Sequence, residues 1–298
     1  MSALVAGLTS VATATQQADR RAWPASLTVS AYGRSIEVRV NDADILRLIP
    51  RHLPYGWRPA KRSAADRLYS IVTSGRSRRR YMLFDGAEPV ADSPQLGEIL
   101  EALEARARWF VAEHARSRVF IHAAVVGWKG RAILIPGKSM SGKTTLAAEF
   151  VRAGATYYSD EYAVLDARGR VHPYAKALSI RSAEDGYTQT DYPVEAFGGK
   201  AGSRPLPVGI VLMTQYKSGA RWRPRVTSAG VGAMSLLANA VAARSEPDRT
   251  MDALQRALTS PIILKSNRGE AREVVASVLD FPNSAYRFGR SGVGVDNE

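Results

Sequence analysis

Between Ile133 and Thr144 the chain reads Ile-Leu-Ile-Pro-Gly-Lys-Ser-Met-Ser-Gly-Lys-Thr. A β-branched apolar run passes without a break into G-x-x-x-x-G-K-[ST], the spacing of a phosphate-binding loop set between a strand and a helix. Glycine at 137 and 142 lets successive backbone N–H groups turn toward an anion with no side chain in the way. Lys143 is expected to reach the β- and γ-phosphates of a nucleoside triphosphate, and the Thr144 hydroxyl to ligate Mg²⁺. Gly137, Lys138, Ser139, Met140, Ser141, Gly142, Lys143, Thr144 and Thr145 are therefore read as an ATP-binding segment. The competing reading is a glycine-rich turn with a chance lysine, and the strand before and helix after argue against it. That helix is predicted over Gly142 to Ala153, with Leu146, Ala147, Phe150 and Val151 at apolar positions and Gly154 as a left-handed C-terminal cap. Its N-terminus adds partial positive charge beneath the phosphates.

The 298 residues suffice for one large domain or two modest ones, and an apolar share of 45% suits a soluble globular chain. No stretch approaches the ~20 apolar residues of a membrane helix, and Met1 to Thr15 lacks the basic start of a secretory signal. With no cysteine, disulfides, thiolate metal sites and a cysteine nucleophile are excluded, and a cytoplasmic location is expected.

The net charge of +13 is unevenly spread: Arg20 to Arg80 holds 14 Lys and Arg against four acids, Glu37, Asp42, Asp44 and Asp66. The sharpest cluster is Arg76, Arg78, Arg79 and Arg80, and a second basic stretch holds Lys217, Arg221, Arg223 and Arg225. No helix-turn-helix, finger or aromatic-rich RNA-binding signature accompanies them, so nucleic acid ranks behind an acidic peptide or protein partner. Plain solubility is the simplest account of both.

Leu27 to Tyr32 and Ser35 to Val40 alternate about Gly33-Arg34 as a hairpin, and Arg67 to Thr73 and Arg80 to Phe84 read as further strands. Ser93-Pro94 opens a helix whose apolar positions Leu96, Leu100, Leu103, Ala107 and Phe110 carry it to about Glu113. A second hairpin, Val119 to Gly127 and Arg131 to Pro136, delivers the loop. Beyond it come short strands at Thr156 to Tyr158 and Tyr162 to Leu165, a buried strand at Val208 to Thr214, and helices near Val231 to Ala243, Asp248 to Leu258 and Gly269 to Leu279. The expected organisation is a flexible tail (1–25), an α+β recognition domain (26–115), a P-loop catalytic domain (116–281) and a flexible tail (282–298).

Past the loop helix stands Ser159-Asp160-Glu161, two acids at a strand end, where one can hold Mg²⁺ and the other accept a proton from an attacking hydroxyl. An ordinary acidic turn is the alternative, and a lone histidine such as His122 on an apolar strand is commonly a satisfied core residue. His122 precedes Gly137 by 15 positions and Asp160 follows Lys143 by 17. With the hairpin before the loop, this arrangement resembles the catalytic half of bacterial HPr serine kinases and their relatives, over about Val119 to Arg181. The resemblance implies an α/β fold of the HPr kinase and phosphoenolpyruvate carboxykinase type, a P-loop domain with a mixed sheet, preceded here by the small α+β domain. It further implies Asp160 as general base, Glu161 as the Mg²⁺-linked acid with Thr144, and His122 near the transferring phosphate. Arg181 matches the arginine of a family motif in which Ser179 replaces a glutamate, so the second metal-linked acid is either missing or supplied elsewhere, by Glu184 or Asp185.

A Lys-x-Gly-Arg-Asn segment that accompanies dephosphorylation in the family is absent, and the N-terminal domain is unlike the usual regulatory one. The chain therefore looks more like the divergent relatives, including kinases that phosphorylate a C-terminal serine of lasso precursor peptides. The resemblance implies an ATP- and Mg²⁺-dependent kinase acting on a serine of a peptide or small protein, and leaves a homo-oligomer open. The rivals are a small-molecule hydroxyl kinase and a non-enzymatic nucleotide-binding regulator.

Overall fold

The computed structural model describes residues 23–61, 65–75, 78–138, 141–181 and 189–288. Ser139 and Met140 of the loop, Arg76, Glu184, Asp185 and both outermost tails lie outside the described residues. The chain divides into two units, Met1–Ser117 and Arg118–Glu298.

In the first unit β1 (Ala25–Ala31) and β2 (Arg34–Val40) form an antiparallel hairpin. Its turn places Tyr32 and Gly33 at φ 51° and 81°, the left-handed pair that matches strand twist in a two-residue hairpin. A helical turn α1 (Ala43–Leu46) follows, capped by Asp42, whose carboxylate accepts from the Asp44 N–H. Then come β3 (Arg58–Pro59), β4 (Arg67–Ser74), β5 (Arg80–Asp85), β6 (Glu88–Ser93) and helix α2 (Leu96–His114). The sheet order is β3-β1-β2-β4-β5-β6, with only β2 and β4 parallel. Ile99, Leu103, Ala107 and Val111 of α2 are buried against Val29, Val38, Tyr69, Ile71 and Leu83 of the sheet. At about 1.5 to 3 kcal/mol for each large apolar side chain, this one-sided burial holds the unit together.

The second unit opens with β7 (Val119–Trp128) and β8 (Arg131–Pro136), joined through Lys129 and Gly130 at φ 46° and 77°. Helix α3 (Lys143–Arg152), β9 (Thr156–Ser159), β10 (Tyr162–Leu165), β11 (Arg170–His172), β12 (Leu178–Arg181), β13 (Gln189–Tyr192), β14 (Leu206–Tyr216) and β15 (Arg225–Thr227) follow in turn. The chain continues with α4 (Ala229–Leu237), α5 (Pro247–Ala257), β16 (Ile262–Arg268) and α6 (Ala271–Phe288). The main sheet runs β11-β10-β7-β8-β14-β16-β15, with β9 also on β7, and β8, β14 and β16 are mutually parallel. It is thus a mixed sheet with helices on both faces. Leu146, Phe150 and Val151 of α3 pack with Val274 and Val278 of α6 on one face, and Leu236 and Leu254 of α4 and α5 cover the other.

Several short strands and the ends of two helices depart from expectation. β6 was not anticipated, because Glu88-Pro89-Val90-Ala91-Asp92 has no clean alternation; Pro89 is tolerated there because β6 is the sheet edge. The helix expected to reach Ala243 ends at Leu237, since the following segment pairs instead with β7: Asn239 C=O accepts from His122 N–H at 2.8 Å and Val241 N–H donates to Phe120 C=O at 2.9 Å. The last helix continues past Phe281 to Phe288. Among the described residues no helix is long and apolar enough to cross a membrane.

Candidate active site

Ala132 to Pro136 of β8 are all buried between β7 and β14, so the end of the strand is fixed and the loop emerges at the carboxyl ends of parallel strands. Gly137 N–H donates to the His122 carbonyl at 3.2 Å, tying the first loop residue to β7. A Cβ on Gly137 would stand 2.8 Å from Ser141 Oγ. Gly142 has φ 78°, and a Cβ there would collide with the Arg268 guanidinium. The left-handed backbone favours glycine at 142, and a side chain there would displace the Arg268 guanidinium. Lys143 Nζ donates to the Lys138 carbonyl at 2.6 Å across the loop, while the Lys138 and Thr145 side chains are exposed. Burial lowers the Lys143 pKa, and the charges of Asp160 and Glu161 oppose that shift.

The acidic corner is built by Ser159. Its buried Oγ accepts from Glu161 N–H at 3.1 Å and Tyr162 N–H at 2.9 Å, closing a tight turn between β9 and β10 that projects the two acids. Asp160 Oδ2 accepts from the Thr144 hydroxyl at 3.0 Å, and Oδ1 from the Tyr157 hydroxyl at 2.9 Å. Ser179 N–H, on β12, lies 3.4 Å from Oδ2. Among the described residues no lysine or arginine forms an ion pair with Asp160. Burial raises its pKa, and the hydrogen bonds from Tyr157, Thr144 and Ser179 pull the other way. Burial also pushes up the Tyr157 phenol.

His122 is the one residue from Val119 to Gly127 on β7 that is not fully buried. It pairs in register with Tyr162, their rings 4.8 Å apart. Its backbone carbonyl holds Gly137, so the histidine stands where the loop begins. The structure therefore brings Lys143, Thr144, Asp160, Glu161 and His122 to one end of the sheet. Arg181 ends β12, two residues from Ser179; its side chain lies outside the described residues.

Sequence reasoning missed Arg268. This arginine ends β16 and is only 3% exposed. Nη2 donates to the Gly142 carbonyl at 3.0 Å and Nη1 to the Gly269 carbonyl at 3.1 Å, with the guanidinium 5.5 Å from the Tyr216 ring centre. Burial lowers its pKa. It fixes the glycine before Lys143 from beneath the loop. No local pattern marks such a residue, because its role exists only once β16 lies parallel to β14.

Among the described residues no three of His, Asp and Glu converge into a protein-only metal cage. That suits Mg²⁺, which is commonly held by one or two protein oxygens together with phosphates and water. Thr144 and Asp160 form such a donor pair, so the residues present fit Mg²⁺ with a triphosphate.

No family model matches the chain. No curated protein matches it. Among solved structures it is similar to the Hpr(Ser) kinase/phosphatase from Coxiella burnetii, at 13% identity and a TM-score of 0.31, covering 58% of this chain and 99% of that one.

Proposed function

We propose that the chain is an ATP- and Mg²⁺-dependent kinase that moves a γ-phosphoryl group to a hydroxyl, that of a serine on a peptide or small protein. The observation that carries the reading is the hydrogen bond from the Thr144 hydroxyl to Asp160. It couples a phosphate-binding loop to a carboxylate that forms no ion pair among the described residues, and a bare phosphate-binding turn has no need of that link. The serine acceptor follows from the resemblance of the Val119 to Arg181 segment.

Phosphoryl transfer through a loose transition state needs positioning and charge neutralisation more than covalent help. The loop N–H groups and the start of α3 supply fixed dipoles, and Lys143 follows the charge between the β- and γ-phosphates. Thr144 and Asp160 would hold Mg²⁺, which neutralises charge on the phosphate oxygens. The two acids take the reverse of the roles first expected. Asp160 shares its oxygen with the metal-binding hydroxyl and is the metal-linked acid; Glu161, whose charge reaches Lys143 from the same turn, is the base. The acceptor oxygen bonds to the γ-phosphorus, the bond from phosphorus to the β–γ bridging oxygen breaks with its electron pair passing to that oxygen, which leaves on ADP, and the hydroxyl proton passes to the Glu161 carboxylate. His122 orients the phosphate from β7.

The test is single-turnover transfer from labelled ATP to serine-containing peptides across a Mg²⁺ titration. Glu161→Gln should lower the rate by about 10²- to 10⁴-fold at saturating Mg²⁺ with nucleotide binding intact. Asp160→Asn should instead raise the Mg²⁺ requirement by about 10- to 100-fold. Full transfer in Glu161→Gln would remove it as the base, and no nucleotide binding in the wild type would overturn the kinase reading altogether.

A further inference from the structure

The second basic stretch of the sequence is left over by the site just described. Lys217, Arg221, Arg223 and Arg225 lie on the arm that links β14 to α4, and all four are exposed. The arm is anchored to the main sheet at several points. Lys217 N–H donates to the Arg268 carbonyl at 2.8 Å, Arg223 N–H to Ser266 Oγ at 3.1 Å, and the Trp222 indole N–H to Ser277 Oγ on α6 at 3.1 Å. Arg225 then pairs in register with Lys265 on β16, so two cations stand side by side on one face.

None of these five cationic side chains is paired with a carboxylate among the described residues. In the first unit part of the charge is answered, Arg79 meeting Asp42 at 3.7 Å, Arg80 meeting Asp92 at 2.9 Å and Arg67 meeting Asp85 at 2.6 Å, while Arg51, Arg58, Lys61 and Arg78 are exposed without a carboxylate partner among the described residues. What sets the arm apart is that its unanswered cations follow one another toward a sheet edge.

β15 closes the sheet order, so its outer edge carries no partner strand among the described residues. Charges on an edge strand can serve simply to block aggregation. Val226, 66% exposed on the same edge, is contrary to that purpose, since protective edges avoid exposed β-branched residues. A free edge with an apolar side chain and a row of cations matches an extended acidic peptide, which adds main-chain hydrogen bonds and pairs its carboxylates with the row. Arg221, Arg223 and Arg225 alternate in sequence along the arm and into β15, a spacing that suits carboxylates on alternate residues. A nucleic acid would be expected to find aromatic stacking platforms among the cations, and the one aromatic residue of the arm, Trp222, is turned onto α6.

The edge is also level with the loop. Val211 of β14 pairs with Leu134 of β8 on one side and Ile263 of β16 on the other. Two residues further along, the end of β8 at Pro136 is level with Met213, Lys265 and Arg225. Three strand spacings of about 4.8 Å separate β15 from the loop strand, roughly 14 Å in all, which about four to five extended residues span.

We propose that β15 and its basic arm are the acceptor-docking strand: an acidic peptide segment adds along the free edge, its carboxylates paired with Arg221, Arg223, Arg225 and Lys265, with the acceptor hydroxyl about four to five residues away. The proposal names the substrate class and docking site of the kinase reading and rests on it. The probe is a fluorescein-labelled ten-residue peptide with one serine and aspartates four and six residues from it, beside an isomer with lysines at those positions. Anisotropy titrations use the full chain, with binding of a fluorescent ATP analogue and Mg²⁺ measured in parallel. The wild type should bind the acidic peptide and not the basic one. Arg223→Glu with Arg225→Glu should weaken the acidic peptide by about tenfold or more, gain affinity for the basic peptide, and leave ATP-analogue binding unchanged. The matching Arg→Lys pair should keep acidic-peptide binding. Newly acquired binding of the basic peptide requires direct pairing and cannot come from a damaged fold. Unchanged acidic-peptide binding in the reversed variant overturns the docking strand, as does displacement of the peptide by a single-stranded oligonucleotide of equal charge at lower concentration. Failure of the ATP analogue to bind the wild type, with the charge swap intact, would sink the kinase reading and leave the acidic-peptide surface standing.

Discussion

Asp85 in the first unit and Asp160 in the second are both carboxylates withdrawn from water at the ends of short strands, and the chain treats them in opposite ways. Asp85, with a side chain 6% exposed, faces Arg67 through both oxygens, Nε and Nη2 each at 2.6 Å, and Arg106 stands 3.9 Å away. Its charge is neutralised inside the unit, and burial beside it pushes the Tyr69 phenol up to about 12. Asp160 is held by two hydroxyls and one N–H, with no cation of its own among the described residues. Hydrogen bonds orient a carboxylate without cancelling its charge. A buried acid treated in that way is disfavoured in the empty protein and becomes favourable when a cation arrives.

The sharpest way to break this contrast is at the loop. Lys143→Ala should lower phosphoryl transfer by about 10³-fold, since the cation that tracks the migrating charge is gone, with thermal unfolding nearly unchanged. Transfer at the wild-type rate in a folded Lys143→Ala protein would mean that the Asp160 end of the sheet is not an active site.

Next in size is the comparison of the two acids by stability. Asp85→Asn should cost about 1 to 3 kcal/mol in urea unfolding, because Arg67 loses its charged partner, and should leave transfer by the folded protein intact. Asp160→Asn should be neutral or stabilising at neutral pH. Burial holds the folded pKa of Asp160 above the ordinary carboxylate value of 3.8, so the folded state holds its proton longer than the unfolded one. Stability from this group is therefore present at low pH and lost as pH rises from 3.8 through the raised folded value. Asp160→Asn should remove that fall, visible as a converging difference between variant and wild type on acidification. A large loss of stability in Asp160→Asn at neutral pH would make Asp160 a structural acid like Asp85.

The smallest effect tests orientation alone. Tyr157→Phe removes one donor to Asp160 and leaves a methylene-scale change in packing. It should cost about 1 kcal/mol and raise the Asp160 pKa further, weakening Mg²⁺ dependence of nucleotide binding a few-fold and most strongly at acid pH. No change in the pH dependence would show that Thr144 alone sets the Asp160 environment.

Most of what could be read in advance was local. The hairpins at Gly33 and Gly130 announce themselves by turn residues between alternating strands, and α3 by its apolar face and Gly154, at φ 94°. The α2 face, Leu100, Leu103 and Ala107, is buried as its periodicity requires. β16 was invisible for the opposite reason. Ile262-Ile263-Leu264 is a short apolar run that could sit in a helix or a strand, and only its neighbours β14 and β15 make it a strand. The roles of Asp160 and Glu161 were similarly underdetermined, since adjacent acids at a strand end look alike until one of them is seen against Thr144.

The sequence by itself determined the glycine-rich loop, the helix behind it and the acidic turn beyond, because each is written in contiguous residues whose backbone demands are local. Tertiary structure decided which carboxylate meets the Thr144 hydroxyl, 16 residues away, and which arginine locks Gly142, 126 residues away. Those contacts depend on strand order and register across long crossovers. Register is set by the burial of whole sheet faces, and no window of sequence around Asp160 or Arg268 contains that information.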